Sequence, residues 1–150
     1  MSKSLFSLPR LPLLVSIAAL TVGVSALSAR ADTPIYNPIP MPATNEVTDT
    51  LSEKDIPTGV GGFSRDYVVN LKEGDQIVLD LISDQFDALV TLIGPDGATV
   101  GENDDGPDGT TNSLLFTRIT RAGNYIVRVA PYAGQGLGGF TLKVTRLRPV

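Results

Sequence analysis

The sequence predicts an all-β protein, an antiparallel β-sandwich of about eight short strands. Three observations carry that expectation. From Glu46 onward apolar residues recur at every second position, clusters of glycine, proline and aspartate interrupt the runs at short intervals, and no helical periodicity competes with the alternation. Short alternating strands joined by turns bury one face each by stacking as two antiparallel sheets, whereas a parallel sheet would need helical crossovers between its strands.

The first segment belongs to export rather than to the fold. Lys3 and Arg10 precede an apolar run from Leu11 to Leu27, and Ala29-Arg30-Ala31 forms a small-x-small cleavage site, so residues 1–31 read as a signal peptide cut before Asp32. A secreted or periplasmic location is expected. The rival reading is a membrane-tethered structural surface protein that keeps the apolar run as an anchor, the only way in which a membrane would be a partner. No cysteine occurs anywhere, which excludes a lipoprotein. Removal of residues 1–31 takes away Lys3, Arg10 and Arg30 but no acidic residue, so a formal charge of −4 becomes more negative. An acidic chain without a cationic stripe is not a nucleic-acid binder.

Residues 32–44 carry Pro34, Pro38, Pro40 and Pro42. Proline at that density opposes helix and central strand alike, and the segment is expected to be an extended linker that holds the following domain, residues 45–150, away from a surface or partner.

Within the domain, Val47–Leu51 is a first strand and Ser52–Gly62 a loop. Phe63–Leu71 sets Tyr67, Val69 and Leu71 against Asp66, Val68 and Asn70, which predicts a dry face and a wet one. Lys72-Glu73-Gly74-Asp75 turns the chain into Gln76–Ser83, where Ile77, Leu79 and Leu81 form the dry face. Ala88–Ile93 is apolar on both faces except at Thr91, as a central strand is. Pro95-Asp96-Gly97 makes a tight turn into the short strand Ala98–Val100. After an acidic loop, Ser113–Ile119 is strand-like with its inward face undecided between Leu115 with Ile119 and Leu114 with Phe116. Arg121-Ala122-Gly123 turns into a strand that places Tyr125, Val127 and Val129 on one face, and Gly138–Leu147 closes the sheet with Phe140, Leu142 and Val144 inward.

Composition also limits chemistry. The chain has no cysteine and no histidine. Disulfides, thiolate metal sites, cysteine nucleophiles and every imidazole-dependent triad are excluded. A small glycan-active enzyme using paired carboxylates, Asp87 with Asp105, is the remaining catalytic alternative, but a one-domain sandwich offers little cleft, and the chain is expected not to be an enzyme.

The ordered elements Phe86-Asp87, Pro95-Asp96-Gly97, Asn103-Asp104-Asp105-Gly106, Ser113, Ala122-Gly123-Asn124-Tyr125-Ile126-Val127-Arg128-Val129 and Gly138-Gly139-Phe140-Thr141-Leu142 resemble the bacterial pre-peptidase C-terminal domain family. That resemblance implies a jelly-roll-like β-sandwich and an exported, non-catalytic module for binding or for assisting secretion. Such domains usually follow a secreted protease; here the expectation is a stand-alone copy acting on a protein or a cell-surface polysaccharide. Some relatives hold calcium with an acidic segment before the first strand, which corresponds here to Asn45, Glu46 and Asp49.

Two candidate sites follow. Glu102, Asp104, Asp105 and Asp108 place four carboxylates in one short loop, the oxygen-rich composition that suits calcium, although the spacing is not that of an EF-hand. The same residue types also cap turns with their own side chains. Tyr132, beside Pro131 and before a glycine-rich loop, is the candidate contact residue for a partner, while Tyr125 and Phe140 belong to the core by their alternation.

Overall fold

Each strand of this chain is a two-faced ribbon, and the structure, a computed structural model that describes residues 35–147, stacks those ribbons as two sheets. The signal peptide expected at residues 1–31 lies outside the described residues. The strands are β1 (Ile39–Pro40), β2 (Glu46–Leu51), β3 (Ile56–Pro57), β4 (Phe63–Leu71), β5 (Gln76–Ile82), β6 (Ala88–Ile93), β7 (Thr99–Asn103), β8 (Ser113–Arg118), β9 (Gly123–Pro131) and β10 (Gly138–Leu147). One sheet runs β1-β4-β9-β6-β7 with β3 added to β4, and the other runs β2-β10-β5-β8. Eight of these are the expected strands; β1 and β3 are two-residue additions to the outer edge of β4.

The core lies between the sheets. Tyr67, Leu71, Ile77, Leu79, Leu81, Val127, Val129 and Leu142 are fully buried at the alternate positions that the sequence marked as dry, and Val90 and Leu92 of the strand read as apolar on both faces are fully buried with them. Ring edges of Tyr67 and Phe86 meet Phe140 at centroid separations of 6.3 and 6.4 Å, a T-shaped geometry that suits the aromatic quadrupole. Register resolves the ambiguity in β8. Leu115 pairs with the inward Leu79 and packs on the core, which turns its neighbour Phe116 outward, 55% exposed.

Two expectations about the first half of the chain are corrected. Residues 36–41 do not stand off the domain as a free spacer. They are extended, but β1 pairs in parallel with β4, the Met41 amide donates to the Val68 carbonyl at 2.9 Å, and Met41 packs against the core. Proline removes donors without preventing a short edge pairing, and Pro40 in β1 and Pro57 in β3 sit where edge strands tolerate it. Asp66, placed on the wet face by alternation, does face outward, yet it is only 2% exposed. The strap at residues 36–41 and Arg128 cover it.

Candidate functional site

Strand order gathers four loops at one end of the sandwich. The start of β4 lies beside the end of β9, β6 begins opposite Pro131, and the end of β5 meets the starts of β8 and β10. Loops 52–62, 83–87, 104–112 and 132–137 therefore share that end. Two of them interlock through glycine. A Cβ on Gly62 (φ +74) would lie 2.6 Å from the Gly134 carbonyl oxygen, and one on Gly134 (φ +71) would lie 2.5 Å from that of Gly61. Both the left-handed backbone and the contact exclude a side chain. Hydrogen bonds brace the pair: the Thr58 hydroxyl donates to the Gly61 carbonyl and the Tyr132 amide to that of Asp87 at 2.7 Å. Ala133 itself is left-handed at φ 53, a conformation its surroundings must hold in place.

This braced pair presents apolar side chains to water. Val60 is 94% exposed, Tyr132 49% and Leu137 37%. Tyr132 is thus available for contact, and Tyr125 and Phe140 are core residues. Val60 had no signal in the sequence beyond being an isolated apolar residue among glycines.

The acidic loop is organised by an amide and a hydroxyl. The Asn103 side-chain amide donates to the carbonyls of Asp105 at 2.6 Å and Leu114 at 2.8 Å, and its oxygen accepts from the Asp105 amide. Asp108 accepts from the Thr110 hydroxyl and amide, which hold its carboxyl below the usual range. Glu102 is exposed on β7, and no group of three or more acidic side chains among the described residues is arranged to hold a metal ion. Of Glu102, Asp104, Asp105 and Asp108, Asp108 caps a turn with its side chain.

Of a second acidic set, only Asp49 was singled out in the sequence. Arg65 bridges Asp49 at 2.5 Å and Asp55 at 2.7 Å, and the Tyr67 hydroxyl donates to Asp49 at 2.8 Å, joining the two sheets. Burial pushes the Asp49 carboxyl up, but the Thr50 amide, Arg65 and Tyr67 outweigh it and leave it below its usual value. Beside this, Arg128 forms two parallel bonds to Asp66, each 2.8 Å, and the Tyr36 hydroxyl donates to the same carboxylate at 2.5 Å. Burial, followed by Asp66, raises the Tyr36 hydroxyl well above its usual value. A cleft of about 240 Å³ between the strap, β3 and β4 opens onto these groups, with Lys54, Asp55, Arg65 and Asp66 in its wall. Every buried polar side-chain atom among the described residues has a hydrogen-bond partner.

The model of the bacterial pre-peptidase C-terminal domain family matches residues 63–131, from β4 to the end of β9. That region is similar to the family. No curated protein matches the chain. Among solved structures, the pre-peptidase C-terminal domain of a Bacillus anthracis collagenase is similar at 12% identity and a TM-score of 0.55, covering 76% of this chain and 100% of that one. PliG of Aeromonas hydrophila, described as a periplasmic lysozyme inhibitor of g-type lysozyme, is similar at 16% identity and TM-score 0.51, covering 73% and 95%. Its Salmonella Typhimurium counterpart, described likewise, gives 11% and 0.50, covering 75% and 100%. At these identities the likeness is one of fold.

The calcium that the family resemblance implied does not fit Asn45 and Asp49, the first just before β2 and the second within it. Asp49 is engaged by Arg65 and Tyr67, and the Asn45 side chain bonds to Arg146 and to the Ala43 carbonyl. At Asp49 a guanidinium stands where a cation would. The Asp87 and Asp105 of the catalytic alternative stand on neighbouring loops of the same end, with the Asp87 carbonyl committed to Tyr132.

Proposed function

We propose that the chain is an exported, non-catalytic binding module whose ligand is a protein, held at the loop end by Val60, Tyr132 and Leu137. One observation carries the reading: the interlocked loops hold Val60 94% exposed and Tyr132 49% exposed on a braced backbone. Exposed apolar side chains on a rigid support lose little conformational entropy on contact, and tyrosine is enriched where proteins recognise one another. The fold shared with the PliG structures supports the reading, since those proteins are described as inhibitors of another protein. The signal-like residues 1–31 support export, and the lack of histidine and cysteine supports the absence of catalysis.

The test is cross-linking capture from the exported fraction of the native cells, with purified chain and with Val60→Ser/Tyr132→Ala side by side, together with inhibition of a g-type lysozyme. The wild type should retain a protein that the double variant loses. Capture of the same proteins by both, or retention of polysaccharide alone, overturns the reading.

A further inference from the structure

We infer that the protein docking on this loop end is cationic, with basic side chains of the partner ringing the apolar contact. The inference rests on the binding role proposed above and adds the chemistry of the partner. Its ground is an asymmetry of charge along the sandwich. The loops around Val60 and Tyr132 carry Glu53, Asp84, Asp87, Asp104, Asp105 and Asp108, none of them in an ion pair among the described residues, against a single lysine, Lys54. Asp55, in the same loops, is neutralised by Arg65. At the opposite end the charges are mixed and partly paired: Arg121 lies 3.0 Å from Asp96, Arg146 lies 3.8 Å from Asp75, and Lys72 stands beside Glu73.

Most of the acidic excess among the described residues therefore lies in the loops that carry Val60, Tyr132 and Leu137. An apolar centre with a rim of a single sign selects a partner of the opposite sign, because rim charges steer encounter and reject like-charged surfaces. An acidic or neutral partner would leave six carboxylates facing it without compensation.

The experiment uses cytochrome c, a compact basic protein, as the probe, and its lysine-acetylated form as the uncharged control, with binding measured by interferometry at low and at physiological salt. The loop-end variant Asp84→Asn/Asp104→Asn/Asp105→Asn is compared with Glu46→Gln/Glu73→Gln/Asp80→Asn, which changes net charge equally elsewhere. None of the six side chains makes a hydrogen bond or ion pair among the described residues, so both triples should keep the wild-type urea midpoint. We expect the loop-end triple to weaken binding at least fivefold, the control triple less than twofold, and acetylation to abolish it. Equal weakening by both triples, or no binding of the native probe, overturns the inference. The same two triples are run in the capture experiment. A partner lost with Val60→Ser/Tyr132→Ala but retained by the loop-end triple leaves a protein-binding module whose partner is not selected by charge, and overturns the cationic inference alone. A capture indifferent to Val60 and Tyr132 overturns the reading beneath it.

Discussion

Two acidic regions of this domain have the same composition and opposite fates. In the loop from Glu102 to Asp108 the carboxylates are crowded in sequence, yet Glu102, Asp105 and Asp108 are exposed and Asp104 half-buried while Asn103 and Thr110 tie the turn. Asp49, Asp55 and Asp66 are scattered over three segments, yet they converge on Arg65 and Arg128, and the Asp66 side chain is wholly buried. Crowding in sequence places charges where water can screen their repulsion; convergence in space needs cations, because a buried carboxylate without one would cost several kcal/mol. The second region holds the fold, and the first decorates the surface that we assign to recognition.

The largest test of that contrast is substitution within each set. Asp66→Ala leaves Arg128 facing a protein wall and removes the acceptor of Tyr36. A loss of about 3 kcal/mol is expected, the low end for breaking a buried pair because Arg128 keeps partial access to water. Urea unfolding should show it as a midpoint shift of about 1–2 M. Asp105→Asn should change stability by less than about 0.5 kcal/mol, as surface substitutions do. Comparable losses in the two variants would erase the distinction.

Next comes the strap. Tyr36→Phe removes a hydroxyl that donates to a charged acceptor, and about 1 kcal/mol should be lost, the bond being partly open to solvent. Deletion of residues 35–41 should cost more, since it also removes β1 and the Met41 packing. An unchanged thermal midpoint on deletion would return the segment to a free spacer.

How far the sequence revealed these regions depends on the range of the interaction. Alternation marked the dry faces of β4, β5, β9 and β10 because burial in a sandwich is a period-two property of each strand alone. The exposure of Tyr132 was legible because a tyrosine in a glycine-rich loop has little core to enter. The Arg128–Asp66 pair was not, since the two residues are 62 positions apart and meet only through the β4–β9 register. Nor was the strap, because four prolines signal extension and say nothing of the edge that receives it. Val60 became notable only when Gly61, Gly62 and Gly134 were seen to lock its loop.

The dependence of stability on pH separates the regions at one limb. Asp49 in the network and Asp108 in the loop both have carboxyls below the ordinary 3.8, so the stability they contribute is present above that value and is lost as pH falls through the folded pKa; the melting temperature should drop below about pH 4 through both. At the alkaline limb only the network responds. Burial, then Asp49, raises Tyr67, and burial, then Asp66, raises Tyr36, both above the ordinary 10.0. Stability from a raised group is complete below its unfolded pKa and is lost as pH rises beyond it, so melting should fall from about pH 10 upward. In Tyr36→Phe the alkaline fall should be shallower while the acid limb is unchanged. An identical alkaline profile in that variant would remove Tyr36 from the network's energetics.

The smallest expected effect concerns calcium. A cation site in the acidic loop would have to draw Glu102, Asp104, Asp105 and Asp108 together, and Asp108 is already turned back onto Thr110 while Asn103 spans the loop to Leu114. Turning the Asp108 carboxylate toward the others would break its bonds to Thr110. Linkage gives the scale on which this can be judged: a folded-state site at free calcium one hundred times its dissociation constant would add about 2.7 kcal/mol. Millimolar calcium against chelator is instead expected to move the melting temperature by less than about 1 °C, in the wild type and in Asp104→Asn/Asp105→Asn alike. A rise of several degrees that disappears in the double variant would establish a metal site in the loop and merge the two acidic regions into one principle, each held together by a cation, one of them arginine and the other inorganic.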